Sequence, residues 1–160
     1  MTTPPNLNEA AVLAVFDKIV SYAQASGRFD QVNQHEPKNG PGVGLICSIW
    51  VQSLRPTVNS GIAATSGVLQ MNLRLYMNFR SEPFDQIDYS ILTSALWLMA
   101  AFTGDFDFGN VANIRNIDVL GIEGTAMSAN AGYVEIDKTV YRVMTVALPI
   151  ILNDIFIQVS

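Results

Sequence analysis

Between residues 67 and 79 apolar and polar side chains alternate: Leu69, Met71, Leu73, Leu75 and Met77 on one side, Gln70, Asn72, Arg74, Tyr76 and Asn78 on the other. A period of two sustained over this length belongs to an extended strand with one face against a core. A helix would scatter the same residues around its axis. The chain must therefore build a sheet, with a long, half-buried antiparallel strand in it.

Two segments can supply the cover. Residues 7–26 place Val12, Val15, Phe16, Ile19, Val20 and Ala23 on one face at helical spacing. Pro4 and Pro5 precede this helix, Asn6 with Glu9 can cap it, and Gly27 can end it. Residues 86–103 form the second helix, with Asp85 expected as N-cap, Asp88 three residues in, Phe84 and Tyr89 as a hydrophobic staple, and Gly104 closing it. From Ile91 to Phe102 only Thr93 and Ser94 are polar. A helix so apolar all round is expected to be buried on more than one side, by its own sheet and by a neighbouring subunit.

Further strands are predicted at residues 29–34, 45–54, 114–120, 131–136 and 140–148. In the second of these, Cys47, Ile49 and Val51 oppose Ser48, Trp50 and Gln52. The last two are joined by the short connection Asp137-Lys138-Thr139. The order α-β-β-β-α-β-β-β gives an α+β domain, one mostly antiparallel or mixed sheet flanked by two helices. No linker divides residues 1–160. The loop at 33–44, with two prolines and three glycines, must be irregular; the loop at 57–66 is small, uncharged and flexible. It reads either as a plain surface loop or as an arm that orders against a partner.

Hydrophobic residues make up 49% and charged residues 14%, and the mean hydropathy is +0.26. So few charges leave apolar surface poorly covered, which marks contact sites. The apolar runs at 91–102 and 147–152 fall short of the roughly 20 residues of a membrane span. MTTPPNLNEA has neither basic nor apolar export features, which places the chain inside a cell or a particle. A net charge of −5 without any Lys/Arg cluster argues against tight nucleic-acid binding. One cysteine, Cys47, and one histidine, His35, exclude an internal disulfide and Cys- or His-rich metal sites.

Chemical motifs are few. No G-x-S-x-G, Walker or G-x-G-x-x-G pattern occurs. His35 and Glu36 are the one adjacent imidazole and carboxylate, read as loop or interface hydrogen-bonding groups, with acid–base chemistry as the alternative. Asp105 and Asp107 suggest a cation loop, but its twelfth position is Asn116, so a solvated turn is the better reading. No cofactor is expected.

The segment FDQVNQHEPK at 29–38, then Ile49-Trp50-Val51, Leu75-Tyr76, Glu82-Pro83 and Ile87-Asp88, are followed by Gly104-Asp105-Phe106, Ile117-Asp118-Val119-Leu120-Gly121 and Ala131-Gly132-Tyr133. Tyr141-Arg142-Val143-Met144 and the closing Pro149-Ile150-Ile151-Leu152-Asn153-Asp154 complete the series. Together these resemble the tail terminator proteins of long-tailed, non-contractile phages that infect actinobacteria. The resemblance implies a small domain without catalytic activity that forms a six-membered ring on the last ring of tail-tube protein, stops tube growth and receives the filled head. The partners it implies are other copies of the chain, the tube protein and a head-completion or connector protein. The implied location is the head–tail junction of the virion, assembled in the host cytoplasm.

Within that reading, His35, Glu36, Lys38, Arg74, Tyr76 and Trp97 are expected at the ring interface. Asn59, Ser60, Gly61 and Ile62 are expected to dock on tube or connector, and Glu36, Asp105, Asp107 and Glu123 to line a lumen that passes DNA without binding it. Rival readings are another head–tail connector or tube ring protein, a small enzyme using His35 and Glu36, and a ligand-binding module with an apolar pocket.

Overall fold

The computed structural model describes residues 9–57, 64–105 and 114–157. Two helices, α1 (Glu9–Ala25) and α2 (Asp85–Gly104), lie with six strands: β1 (Gln31–Asn33), β2 (Leu45–Thr57), β3 (Ala64–Asn78), β4 (Ile114–Ile117), β5 (Ser128–Ile136) and β6 (Thr139–Ile157). The order α-β-β-β-α-β-β-β is the one the sequence predicts, in a mixed sheet. β1 runs parallel to β2, and every other pairing is antiparallel.

β6 organises the sheet. One edge pairs with β3 from Asn78↔Tyr141 to Ala64↔Ile157. The other edge pairs first with β5, from Ile136↔Thr139 to Ser128↔Ala147, and then with β4, from Ile117↔Ile150 to Ile114↔Leu152. The sequence reading ends this strand at 148, one residue before Pro149, which lacks an amide donor. The structure corrects that bound. The Pro149 carbonyl accepts from Asp118 N at 2.9 Å, and a strand residue's N–H and C=O share one edge. The missing donor therefore falls at the handover from β5 to β4, where no ladder bond is interrupted.

The core forms where the expected faces meet. Val15, Ile19, Val20 and Ala23 of α1 and Ile87, Ile91, Ala95, Leu98 and Phe102 of α2 bury the apolar rows of β2, β3 and β6. Cys47, Leu75 and Met144 stand in register across the three strands, as do Ile49, Leu73 and Val146. Both helices thus cover one face. The opposite face of β3 is not the half-solvated surface that alternation suggests. Ile46, Tyr76, Tyr141 and Val143 make a second buried cluster there, with Tyr76 and Tyr141 edge to face at 6.3 Å. The 34–44 loop closes over it, its Gly40 N donating to Asp137 Oδ2 at 2.7 Å.

The start of α2 also differs from expectation. Phe84, in helical conformation and without a side-chain cap, occupies the N-cap, so Asp85 lies inside the first turn. Pro83 O and Phe84 O accept from Gln86 N and Ile87 N instead. Phe84 and Tyr89, expected as a staple, both remain mostly exposed. Gly104 is the last helical residue rather than a stop beyond the end, and Asp105 forms the C-cap.

Candidate assembly surfaces

The residues expected at an interface are distributed over several parts of the molecule. His35, Glu36 and Lys38 are exposed on the loop between β1 and β2. The loop is anchored at its C-terminal end: Asp30 Oδ2 accepts from Leu45 N at 2.8 Å. Gly44 sits beside that carboxylate at φ +94°, and a Cβ there would collide with Asp30 Oδ2. Tyr76, by contrast, is buried within its own chain. Its phenol is pushed above the usual range, chiefly by burial and also by the Glu36 carboxylate, while Arg74 acts in the opposite sense. It is structural core, which corrects its assignment to the interface.

Arg74 is held inside the chain as well. Its guanidinium lies 5.2 Å from the Trp50 ring centroid, and its Nε donates to Thr145 Oγ1 at 2.7 Å. Trp97 packs half-buried against the core. Asp105 accepts a hydrogen bond from Tyr22 Oη. The docking residues Asn59, Ser60, Gly61 and Ile62, and the acid Asp107, lie outside the described residues.

Two apolar surfaces stand out, one on α2, where the sequence reading expected a surface beyond the core, and one after β4, which it did not locate. On α2, Tyr89, Leu92 and Leu96 recur at i, i+3 and i+7 and are largely exposed. The signal was present in the all-round apolarity of residues 91–102. Beside this stripe a groove of about 580 Å3 opens between the start of α2, the end of β3 and the β5–β6 hairpin. Phe79, Phe84, Ile87 and Tyr133 wall it together with the charged Arg80, Glu82, Asp88 and Arg142. Phe79 and Tyr133 meet edge to face at 6.0 Å, and the Arg142 guanidinium stacks 4.5 Å from the Tyr133 ring centroid. Arg142 Nε also contacts Asp88 Oδ1 at 2.8 Å, so this pair brings no net charge to the groove wall.

The second surface is a knob. Asp118, buried after β4, accepts from Ile122 N through Oδ1 and from Glu123 N through Oδ2, both at 2.8 Å. One carboxylate thereby fixes a tight loop. Gly121 completes it at φ +78°, where a Cβ would fall 2.9 Å from Ala126 N. Glu123 ties the loop to the β2–β3 hairpin: its Oε2 accepts from Thr57 Oγ1 at 2.8 Å, its carbonyl accepts from Arg55 Nη2 at 2.6 Å, and Arg115 Nη1 lies 3.8 Å from Oε1. Leu120 and Ile122 project from this anchored loop with 83% and 84% of their surface exposed.

The knob and the groove sit at opposite ends of the sheet. The knob is bonded to Thr57, which pairs with Ser66 at one end of β3; the groove includes Phe79, just past the other end. Thirteen residues of extended chain separate those positions, about 40 Å.

Among the described residues no group of three or more His, Cys, Asp or Glu side chains is placed to hold a metal ion, and no helix is long and apolar enough to cross a membrane. The Cys47 thiol is buried and pushed up to about 12 by loss of solvation. No protein-family model and no curated protein sequence matches the chain.

Proposed function

We propose that this chain is the subunit of a ring that caps a phage tail tube, ends its growth and joins it to the head. The observation that carries the proposal is the pair of uncovered apolar surfaces at opposite ends of one sheet. A cyclic assembly of identical subunits uses heterologous contacts, in which two different patches of one copy meet the complementary patches of its neighbours. A monomer has no need to display Leu120 and Ile122 on an anchored loop at one end and an aromatic groove at the other. The likeness of residues 29–38 and 149–154 to tail terminators supplies the position of the ring, at the head–tail junction.

The net charge of −5 suits a channel that lets DNA through, since carboxylates facing the lumen repel phosphates. Of the acids expected there, Asp105 and Glu123 have partners within the fold.

The experiment is electron microscopy of phage particles grown with this gene interrupted by a stop codon. Overlong tails of variable length beside filled, tailless heads are the expected result. Tails of normal length that fail to join heads would move the protein to the head side of the junction. Normal infectious particles would overturn the proposal.

A further inference from the structure

We propose that the outer edge of β5 pairs with the same edge of a second copy, antiparallel and two-fold about Gly132, joining two sheets into one. The proposal is independent of the ring reading. A two-fold contact turns one copy against the other and cannot be a link in a head-to-tail ring, so the pair is a form of the free chain, kept until a ring takes the copy up.

The edge is open. β5 bonds to β6 alone, and among the described residues no strand pairs with its other side. The two-residue turn at Asp137 and Lys138, both at positive φ, makes Ile136 and Thr139 a hydrogen-bonded pair. Bonded and unbonded pairs then alternate along the ladder. Val140, opposite Glu135, agrees: its carbonyl accepts from Phe79 N at 3.0 Å, away from β5. Ala129, Ala131, Tyr133 and Glu135 therefore direct their N–H and C=O groups outward. At the opposite edge of the sheet the chain is guarded. β1 covers Ile46 to Ser48, the register shifts between Val51 and Ser53, and Arg55 and Pro56 follow. β5 has none of these devices: its register is unbroken, it holds no proline, and Glu135 is its one charge. Such an edge is a template for another strand.

The sequence of β5 selects a second β5. Its nine residues, Ser128–Ile136, centre on Gly132. The first half is small, Ser128, Ala129, Asn130 and Ala131; the second is larger, Tyr133, Val134, Glu135 and Ile136. Antiparallel pairing about Gly132 sets each larger residue against a smaller one of the second copy: Tyr133 against Ala131, Val134 against Asn130, Glu135 against Ala129, Ile136 against Ser128. Every outward residue then meets an outward residue and exchanges both backbone bonds with it. Any other centre leaves outward groups at one end unpaired. No like charges are opposed, since each Glu135 faces an alanine. Gly132 faces itself in an unbonded pair, where opposed strands come closest. In strand addition of this kind the main-chain bonds supply affinity and the side-chain fit supplies specificity.

The apolar stripe of α2 lies on the same side. Arg142 links the edge to α2, stacking on Tyr133 and bonding Asp88. Leu92, one turn on from Asp88, lies beside Arg142 and Met144, whose β5 partners are Tyr133 and Ala131. With the two-fold axis at Gly132, the exposed Leu92 and Leu96 of the two copies face each other above the joined strands.

The test is sedimentation of the full chain and of its Gly132→Glu and Gly132→Lys variants. A Cβ at this position would meet only Val143 Cγ2, at 3.9 Å, so both variants are expected to melt with the unsubstituted protein. The unsubstituted chain is expected to be a dimer that dissociates on dilution. Each variant alone, with like charges opposed on the axis, dimerises about tenfold more weakly or worse, and an equal mixture of the two recovers the dimer. Ala131→Pro, which removes an outward N–H and no bond to β6, is expected to be monomeric. A chain that stays monomeric at every concentration would overturn the pairing, as would a dimer that the charge variants leave intact or that their mixture fails to restore. A larger closed ring from the free chain would overturn the pairing while supporting the ring. Normal phage particles without the gene would overturn the ring and leave the pairing standing.

Discussion

The Cys47 thiol shows how burial of one small group reaches global behaviour. In the folded chain it keeps its proton up to about pH 12, against 9.0 for an open thiol. Above pH 9 the unfolded chain therefore releases a proton that the folded chain retains, and stability falls as pH rises, by up to about 1.4 kcal/mol per pH unit from this group. Tyr76, its phenol also raised by burial, adds to the loss from about pH 10 upward. Urea titrations at pH 8 and pH 11 will show the drop, and Cys47→Ala will flatten it below pH 10. In the native protein at pH 8, Cys47 will react with a thiol reagent only as fast as the chain unfolds. A second residue of equal weight is Asp118. Removing its carboxylate in Asp118→Ala leaves the Ile122 and Glu123 amides without their acceptor, at a cost of about 1–3 kcal/mol. The loss will appear in thermal melting, with faster amide exchange confined to residues 119–124. The apolar run around Cys47 is consistent with the burial of its thiol. The role of Asp118 was not legible, because only the return of the chain from Ile122 to the β4 end gives that carboxylate its two donors.

At the level of elements, the sequence made the helices and the strand rows readable wherever a period was sustained. The core rows of α1 and β3 are those that alternation and helical spacing predict; in β2, Cys47 and Ile49 are buried as expected, but Val51, expected beside them, is exposed where the register with β3 shifts. Two of the misses share a physical cause: each depended on a partner distant in sequence. Pro149 reads as a strand end until its position opposite the β5–β4 handover is known, and Tyr76 reads as solvent-facing until the 34–44 loop closes over it. The apolarity of α2 announced a surface beyond the core, and Tyr89, Leu92 and Leu96 form it. Leu92→Glu with Leu96→Glu is expected to leave the melting temperature within a few degrees while abolishing incorporation into particles, read by sedimentation of the purified protein and by particle yield. The β5–β6 turn offers a gain. Asp137 and Lys138 take φ of +50° and +63°, a conformation that favours glycine at the second position. Lys138→Gly is expected to raise stability by about 0.5–1 kcal/mol, measured by urea unfolding, while Asp137 keeps its bond to Gly40.

Across the whole molecule, a low proportion of charge goes with large apolar side chains left exposed on α2 and on the loop after β4. Its internal stability is distributed unevenly. β6 holds β3 along one edge and both β4 and β5 along the other, so the β3–β6 ladder lies between paired strands on both sides. Amides of Leu73, Leu75, Val146 and Leu148 are expected to exchange at the global unfolding rate, orders of magnitude more slowly than those of β5. The same topology places a constraint on biosynthesis. β6 follows every strand it joins. While the ribosome is still making it, β4 and β5 have no partner and β3 has one edge open, flanked by apolar rows. The nascent chain must hold these edges apart for the several seconds that the remaining residues take to emerge, and any slowing of synthesis across residues 139–157 will lengthen the interval in which neighbouring polysome chains can pair wrongly. Yield of this protein should thus depend more on the speed at which its last strand is translated than on the stability of the finished fold.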